Sequence, residues 1–150
     1  MVIVILAFCQ SSVDTMNKIA PNNAQASESW DTYWQGTSDV DAFKSGGVSH
    51  PAIRSFWVEY FSGAKQRFIC PKILDIARGN GAVLECVLEV FKQTPSELSS
   101  LDVSEAAIKN IHTRFPNVKG IVASASSIPR ESGSFDIVTS QYGIEYAGYD

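Results

Sequence analysis

The apolar positions change their period along the chain, and that change divides it. Residues 1–9, Met1-Val2-Ile3-Val4-Ile5-Leu6-Ala7-Phe8-Cys9, are almost continuously apolar but far shorter than a membrane span. They also lack the basic start and small-x-small cleavage site of a signal peptide. Residues 1–15 are therefore expected either to be untranslated, with the true start at Met16, or to form a tail without a part in the fold. The Asn/Ser/Ala/Gln-rich stretch up to residue 29 reads as a flexible linker. From Ser29, a helix-capping residue, Trp30, Tyr33 and Trp34 fall on one helical face, and Gly36 with Thr37-Ser38-Asp39 breaks that element. Gly46-Gly47 marks a loop. Ile53, Phe56, Trp57, Tyr60 and Phe61 then recur at i, i+3, i+4, i+7 and i+8, the stripe of an amphipathic helix that opens at Ser49-His50-Pro51 and stops at Gly63. Such a stripe is more often core packing than a ligand site. His50, beside Pro51 with no Asp, Cys or second His near it in sequence, reads as a helix-start residue.

From Lys72 the pattern becomes short strand-like runs alternating with helical ones. Ile73 to Ile76 suits a strand covered on both faces. Asn80 to Lys92 carries Val83, Leu84, Val87, Leu88 and Phe91 on one helical side and ends before Thr94-Pro95. Leu98 to Val103 is a second strand, and Ser104 caps a helix with Ala107, Ile108, Ile111 and Phe115 inward. Val118 to Ala123 and Phe135 to Ser140 complete the series. Alternating units of this length predict an α/β fold, a Rossmann-like three-layer sandwich with a parallel sheet of about four strands and right-handed crossovers. The chain divides into an apolar start and linker (1–29), an N-terminal helical cover (30–66) and a ligand-binding α/β domain (67–150).

Composition narrows the function classes. A hydrophobic fraction of 45% over 150 residues is that of one globular domain, not a disordered chain. The formal net charge of -4 and the absence of any Lys/Arg run argue against binding nucleic acid. Cys9, Cys70 and Cys86 have neither disulfide parity nor metal-ligand spacing, so no metal is expected and reduced thiols in the cytoplasm are the default.

The chemistry gathers at Ile73-Leu74-Asp75-Ile76-Ala77-Arg78-Gly79-Asn80-Gly81. A buried strand, an acid near its end, a glycine turn and a helix is the order in which α/β proteins present backbone N–H groups and a carboxylate to a nucleotide-like ligand. Gly79 and Gly81 let the backbone approach that ligand and adopt positive φ cheaply. Asp75 suits a cationic group such as an amine. Asp102 ends the next strand, where an acid meets ribose hydroxyls in nucleotide-binding α/β folds. A pyrophosphate is disfavoured, because Asp75 would repel it and no Gly-Lys-Ser/Thr follows the turn.

These residues resemble the motifs of class I S-adenosylmethionine-dependent methyltransferases. Ile73 to Gly81 resembles the family's first motif, Asp/Glu-x-Gly-x-Gly-x-Gly, Leu101-Asp102-Val103-Ser104 its acidic second motif, and Ser134-Phe135-Asp136-Ile137-Val138 its fourth strand. The resemblance implies S-adenosylmethionine as cofactor, with Asp75 anchoring the methionine amine and Ala77, Gly79, Asn80 and Gly81 shaping the turn around the methionine part. It further implies Asp102 on the ribose hydroxyls, Val103, Ser124 and Ala125 beside the adenine, and Gln141 near methionine and acceptor. Ala77 stands where the family pattern has its first glycine, a substitution that costs on the order of 1 kcal/mol if the position requires positive φ. Ser124 replaces the usual adenine-facing carboxylate.

The resembled fold has seven strands, and this chain has room for about four. A truncated product is expected, whose fourth strand is an exposed edge open to self-association. The expected activity is methyl transfer to a small-molecule acceptor, this chain supplying the cofactor half. Ser140-Gln141-Tyr142-Gly143 differs from the Asn-Pro-Pro-Tyr loop of amino-group nucleic-acid methyltransferases. Tyr142, Glu145 and Tyr146 could face an acceptor, but none is identifiable as a catalytic base. The alternative is a non-catalytic module that binds S-adenosylmethionine or a partner. A dinucleotide-dependent oxidoreductase is disfavoured, since Leu84 stands where Gly-x-Gly-x-x-Gly needs its third glycine.

Overall fold

The computed structural model describes residues 2–6, 23–36, 51–77, 81–141, 143 and 144. In chain order the elements are β1 (Val2–Leu6), α1 (Asn23–Gly36), α2 (Pro51–Lys65), β2 (Lys72–Ile76), α3 (Ala82–Phe91), β3 (Glu97–Asp102), α4 (Glu105–Arg114), β4 (Lys119–Val122) and β5 (Ile137–Gln141). The strands form one sheet in the order β1-β5-β2-β3-β4, every neighbouring pair parallel. Flanked by helices, this is the Rossmann-like α/β architecture that the alternating pattern predicts.

Four of the strands are the expected ones; β1 is the surprise. Val2 pairs with Ile137 and Leu6 with Gln141, so β1 lies along the whole length of β5. For Val2–Leu6 the expectation of no part in the fold is thereby corrected, and so is that of an open edge at β5; the rest of residues 1–15 lies outside the described residues. A short apolar run has no period of its own to reveal a strand, whereas β5 offers a full row of backbone groups for it to pair with. Two helix boundaries also shift. α1 begins at Asn23, so part of the stretch read as linker is helical. α2 continues through Gly63 to Lys65, because Ala64 is buried and keeps the last turn docked. An internal glycine costs only about 1 kcal/mol against that packing.

The core is divided by the sheet. On one face Trp57 and Phe61 of α2, Ala82, Val83, Leu84, Cys86, Val87 and Phe91 of α3, and Ile111 of α4 pack over Ile73, Leu98 and Ile137. On the other, Leu74, Ile76, Leu101 and Ile121 form a second cluster, closed by Ala123, Ala125, Ile128 and Phe135 from the β4–β5 connection. Alternate residues of β2 supply the two clusters, as the two-residue period of a strand requires. Phe56 departs from the predicted stripe: it remains 39% exposed and stacks on Tyr60 instead.

Asp136 pins the amino end of the sheet. Its backbone N–H donates to the Lys72 carbonyl at 2.8 Å, and its carboxylate accepts from the Lys72 N–H at 2.8 Å. This reciprocal pair aligns β5 with β2 where the ladder starts, which gives the Ser-Phe-Asp segment a structural purpose far from the opposite, carboxyl edge. Among the described residues no helix is long and apolar enough to cross a membrane.

Candidate functional site

Because all five strands run parallel, their carboxyl ends meet along one edge. β2 reaches it at Asp75-Ile76, β3 at Asp102, β4 at Val122 and β5 at Gln141. The register keeps these ends level: Asp75 lies opposite Thr139 and Ser100, and Asp102 opposite Val122. The sequence-derived candidates Asp75, Ala77, Gly81, Asp102, Val103, Ser124, Ala125 and Gln141 are therefore gathered on this edge. Gly79 and Asn80 lie outside the described residues, as do Tyr142, Glu145 and Tyr146.

Asp75 is fully buried, and the Thr139 hydroxyl donates to its Oδ1 at 2.9 Å. The bond crosses from β5 to β2 and orients the carboxylate within the sheet. Asp102 is also buried, and its Oδ1 accepts the Ser104 N–H at 3.0 Å, a turn that aims the side chain along the start of α4. Two carboxylates on adjacent parallel strands thus flank the entry to α3.

The described ends of the turn between them, Ala77 and Gly81, both have positive φ. Ala77 has φ 52°, in the left-handed region, after its N–H extends the β2–β3 ladder to the Leu101 carbonyl at 2.7 Å. An alanine held there costs about 1–2 kcal/mol relative to an ordinary conformation, so the departure from glycine is a real local strain. Gly81 has φ 79°, and a Cβ on it would lie 2.4 Å from Ile111 Cδ1. It is therefore glycine for two reasons, backbone handedness and the close approach of α4. Its position as the N-cap of α3 leaves the first N–H groups of that helix at the edge of the site.

Ser124 and Ala125 serve local structure. Ser124 Oγ lies 2.8 Å from Ser126 Oγ and accepts the Ser126 N–H at 3.3 Å, while Ala125 packs against the second core cluster. Ser104 caps α4 as predicted, accepting the Ala107 N–H at 3.0 Å.

Four contacts have no counterpart in the sequence reading. The Trp57 indole N–H donates to Gln141 Oε1, joining α2 to the end of β5 inside the core. Thr139 orients Asp75; a polar residue alternating with Ile137 in a buried strand was the available signal. Gly143 comes so close to the turn that a Cβ would lie 2.0 Å from the Ala77 carbonyl oxygen. Asp31 Oδ1 accepts from Ser104 Oγ at 2.5 Å and from the Ala106 N–H at 3.1 Å, which docks α1 on α4. Sequence carries no signal for that last pairing. Nearby on α2, burial raises the Tyr60 phenol above its usual pKa, and the Arg67 guanidinium opposes that rise. Among the described residues no group of three or more His, Cys, Asp or Glu side chains is placed to hold a metal.

The same segment is matched by known proteins. A family model described as "Methyltransferase domain" matches residues 73–150, more than half of the chain. The ubiquinone/menaquinone biosynthesis C-methyltransferase UbiE of Campylobacter jejuni is 36% identical over 76 residues, 49% of this chain and 32% of that protein. The match thus spans about a third of that relative's length. A solved structure of a candidate S-adenosyl-L-methionine-dependent methyltransferase from Methanococcus maripaludis covers 79% of this chain and 51% of its own, with a TM-score of 0.51 at 13% identity. That likeness concerns the fold. With the family model lying over β2, the glycine turn and the strands after it, this chain belongs to the class I S-adenosylmethionine-dependent methyltransferase family.

Proposed function

We propose that this chain supplies the cofactor-binding half of a cytoplasmic enzyme that transfers a methyl group from S-adenosylmethionine to a small-molecule acceptor. One observation carries the reading: Asp75 and Asp102 reach the same sheet edge on either side of a turn with two left-handed residues, Ala77 and Gly81. That donor set fits a ligand with a cationic amine at one end and ribose hydroxyls in the middle. Asp75 offers negative charge to the amine, and the turn from Ala77 to Gly81, including Gly79 and Asn80, wraps the methionine part. Asp102 accepts from the ribose hydroxyls. Val103, Ser124 and Ala125 border the adenine, and Gln141 stands at the methionine and acceptor side.

When bound, S-adenosylmethionine supplies an electrophilic methyl group on a sulfonium. Displacement at such a carbon depends mainly on proximity and alignment, so the residues of this chain act chiefly by holding position. A small-molecule acceptor is supported by the net charge of -4 and by Ser140-Gln141-Tyr142-Gly143 in place of a nucleic-acid-type loop. Helices α1 and α2 form the cover over the cofactor domain.

A second reading, a non-catalytic S-adenosylmethionine-binding module, draws support from β1, which covers the edge of β5 within the same chain. Ultraviolet cross-linking of radiolabelled S-adenosylmethionine to the chain tests the shared cofactor claim. Labelling displaced by S-adenosylhomocysteine but not by NAD is expected. Displacement by NAD, or no labelling, would overturn it. In a separate incubation without irradiation, methyl label passed from free S-adenosylmethionine to small molecules of a cell extract separates the enzyme from the module.

A further inference from the structure

We propose that Asp31, on the N-terminal helix α1, is a positioning residue for the ribose-binding carboxylate of Asp102; the inference rests on the cofactor reading above. The link runs through Ser104, which is fully buried and bonded in three directions. Its hydroxyl donates to Asp31 Oδ1 at 2.5 Å while its oxygen accepts the Ala107 N–H at 3.0 Å, and its backbone N–H donates to Asp102 Oδ1 at 3.0 Å. Asp31 Oδ1 also takes the Ala106 N–H at 3.1 Å. Two N–H groups in the first turn of α4 are thus satisfied by two different side chains, one of them delivered from a helix 73 residues earlier. A carboxylate at a helix N-terminus is favoured by the helix dipole, and hydrogen bonds to a charged acceptor are among the stronger ones.

The consequence concerns the residue between the two anchors. The Ser104 N–H can hold Asp102 only while the first turn of α4 and the Ser104 rotamer stay fixed. Asp31 fixes both from outside the sheet. Docking of α1 and engagement of ribose hydroxyls by Asp102 are then coupled, and the coupling is reciprocal: a ligand on Asp102 favours docked α1. Both of Asp31's bonds end on one oxygen, so an amide carbonyl at that position can accept both. This makes Asp31→Asn a rescue variant and Asp31→Ala the disruptive one. Alanine also favours helix, so α1 itself is not weakened by that change.

Calorimetric titration of the full chain with S-adenosylhomocysteine and with its 2′,3′-dideoxy analogue, which lacks the ribose hydroxyls, tests this. Asp31→Ala is expected to weaken the first roughly tenfold, the effect of one lost hydrogen bond to a charged group, and to leave the second within about twofold. Asp31→Asn should bind the first within about threefold of the native chain. Should Asp31→Ala fail to fold, Asp31→Gln, which displaces the carbonyl by one methylene, is expected to show the same ligand pattern. Equal loss for both ligands, no loss for either, or an Asn variant as weak as the Ala one would overturn the proposal. Unchanged binding in Asp31→Ala overturns this inference alone. A native chain that binds neither ligand overturns the cofactor reading and this inference with it.

Discussion

The indole N–H of Trp57 and the amide oxygen of Gln141 meet inside the core, 84 residues apart in sequence. The bond ties the middle of α2 to the last residue of β5, where the sheet edge begins. Removing the donor alone leaves a buried carbonyl with one bond fewer. Trp57→Phe should therefore destabilise the chain by about 1–3 kcal/mol, while adding Gln141→Leu recovers part of that loss. Urea unfolding of the two single variants and the double variant measures the coupling, expected at about 1 kcal/mol or more in this cycle. Additive losses would show that the bond is absent in solution.

The left-handed Ala77 makes a stabilising substitution available. Ala77→Gly removes a strain of about 1–2 kcal/mol and gives back about 0.4–1 kcal/mol through the freer unfolded chain. A net gain on the order of 0.5–1 kcal/mol in urea unfolding is expected. A loss of stability would place Ala77 outside the left-handed region.

Gly143 predicts the opposite. Its Cβ would strike the Ala77 carbonyl oxygen at 2.0 Å, a backbone atom, and Ala77 Cβ at 2.7 Å. Gly143→Ala should displace the segment from the turn and weaken S-adenosylhomocysteine binding. Combining it with Ala77→Gly should not restore affinity, because the carbonyl clash remains. Restoration in the double variant would show that only the methyl groups collide.

At Gly81 the two penalties separate by design. Gly81→Ala meets Ile111 Cδ1 at 2.4 Å and also holds a side chain at φ 79°. Ile111→Val removes that methyl group and should relieve the collision while leaving the backbone strain of about 1–2 kcal/mol. Thermal melts of the single and double variants report the split. No relief in the double variant would mean that the Ile111 contact adds nothing to the loss, leaving the backbone strain and the contacts at Phe115 Cε2 (3.1 Å) and Leu84 Cδ1 (3.2 Å) to account for it.

Much of this was legible in the sequence, and the rest was hidden for physical reasons. The strand-helix alternation from Lys72 onward, the Ser104 cap and the gathering of Asp75 and Asp102 follow from periodicity and local hydrogen bonding. Those signals live within a few neighbouring residues. The strand at Val2–Leu6 is hidden because a continuous apolar run carries no period, and its pairing with β5 is decided 135 residues away, as Val2 opposite Ile137 shows. Trp57 packs in the core as its place in the apolar stripe implies, but its N–H has a partner that no spacing rule supplies. Asp31 is the extreme case: on its own helix it is one polar residue among several, and only the tertiary fold brings it to Ser104.

The central claim is that the carboxyl edge between Asp75 and Asp102 holds S-adenosylmethionine, and calorimetric titration with S-adenosylhomocysteine measures it most directly. The native chain should bind with a single site. Asp102→Ala should weaken that site by about tenfold or more, as expected for the loss of hydrogen bonds to a charged acceptor. Asp136→Ala, at the far end of the sheet, should cost about 1–2 kcal/mol of folding stability and leave affinity unchanged. A native chain that gives no binding heat, or an Asp102→Ala variant of native affinity, would contradict the account.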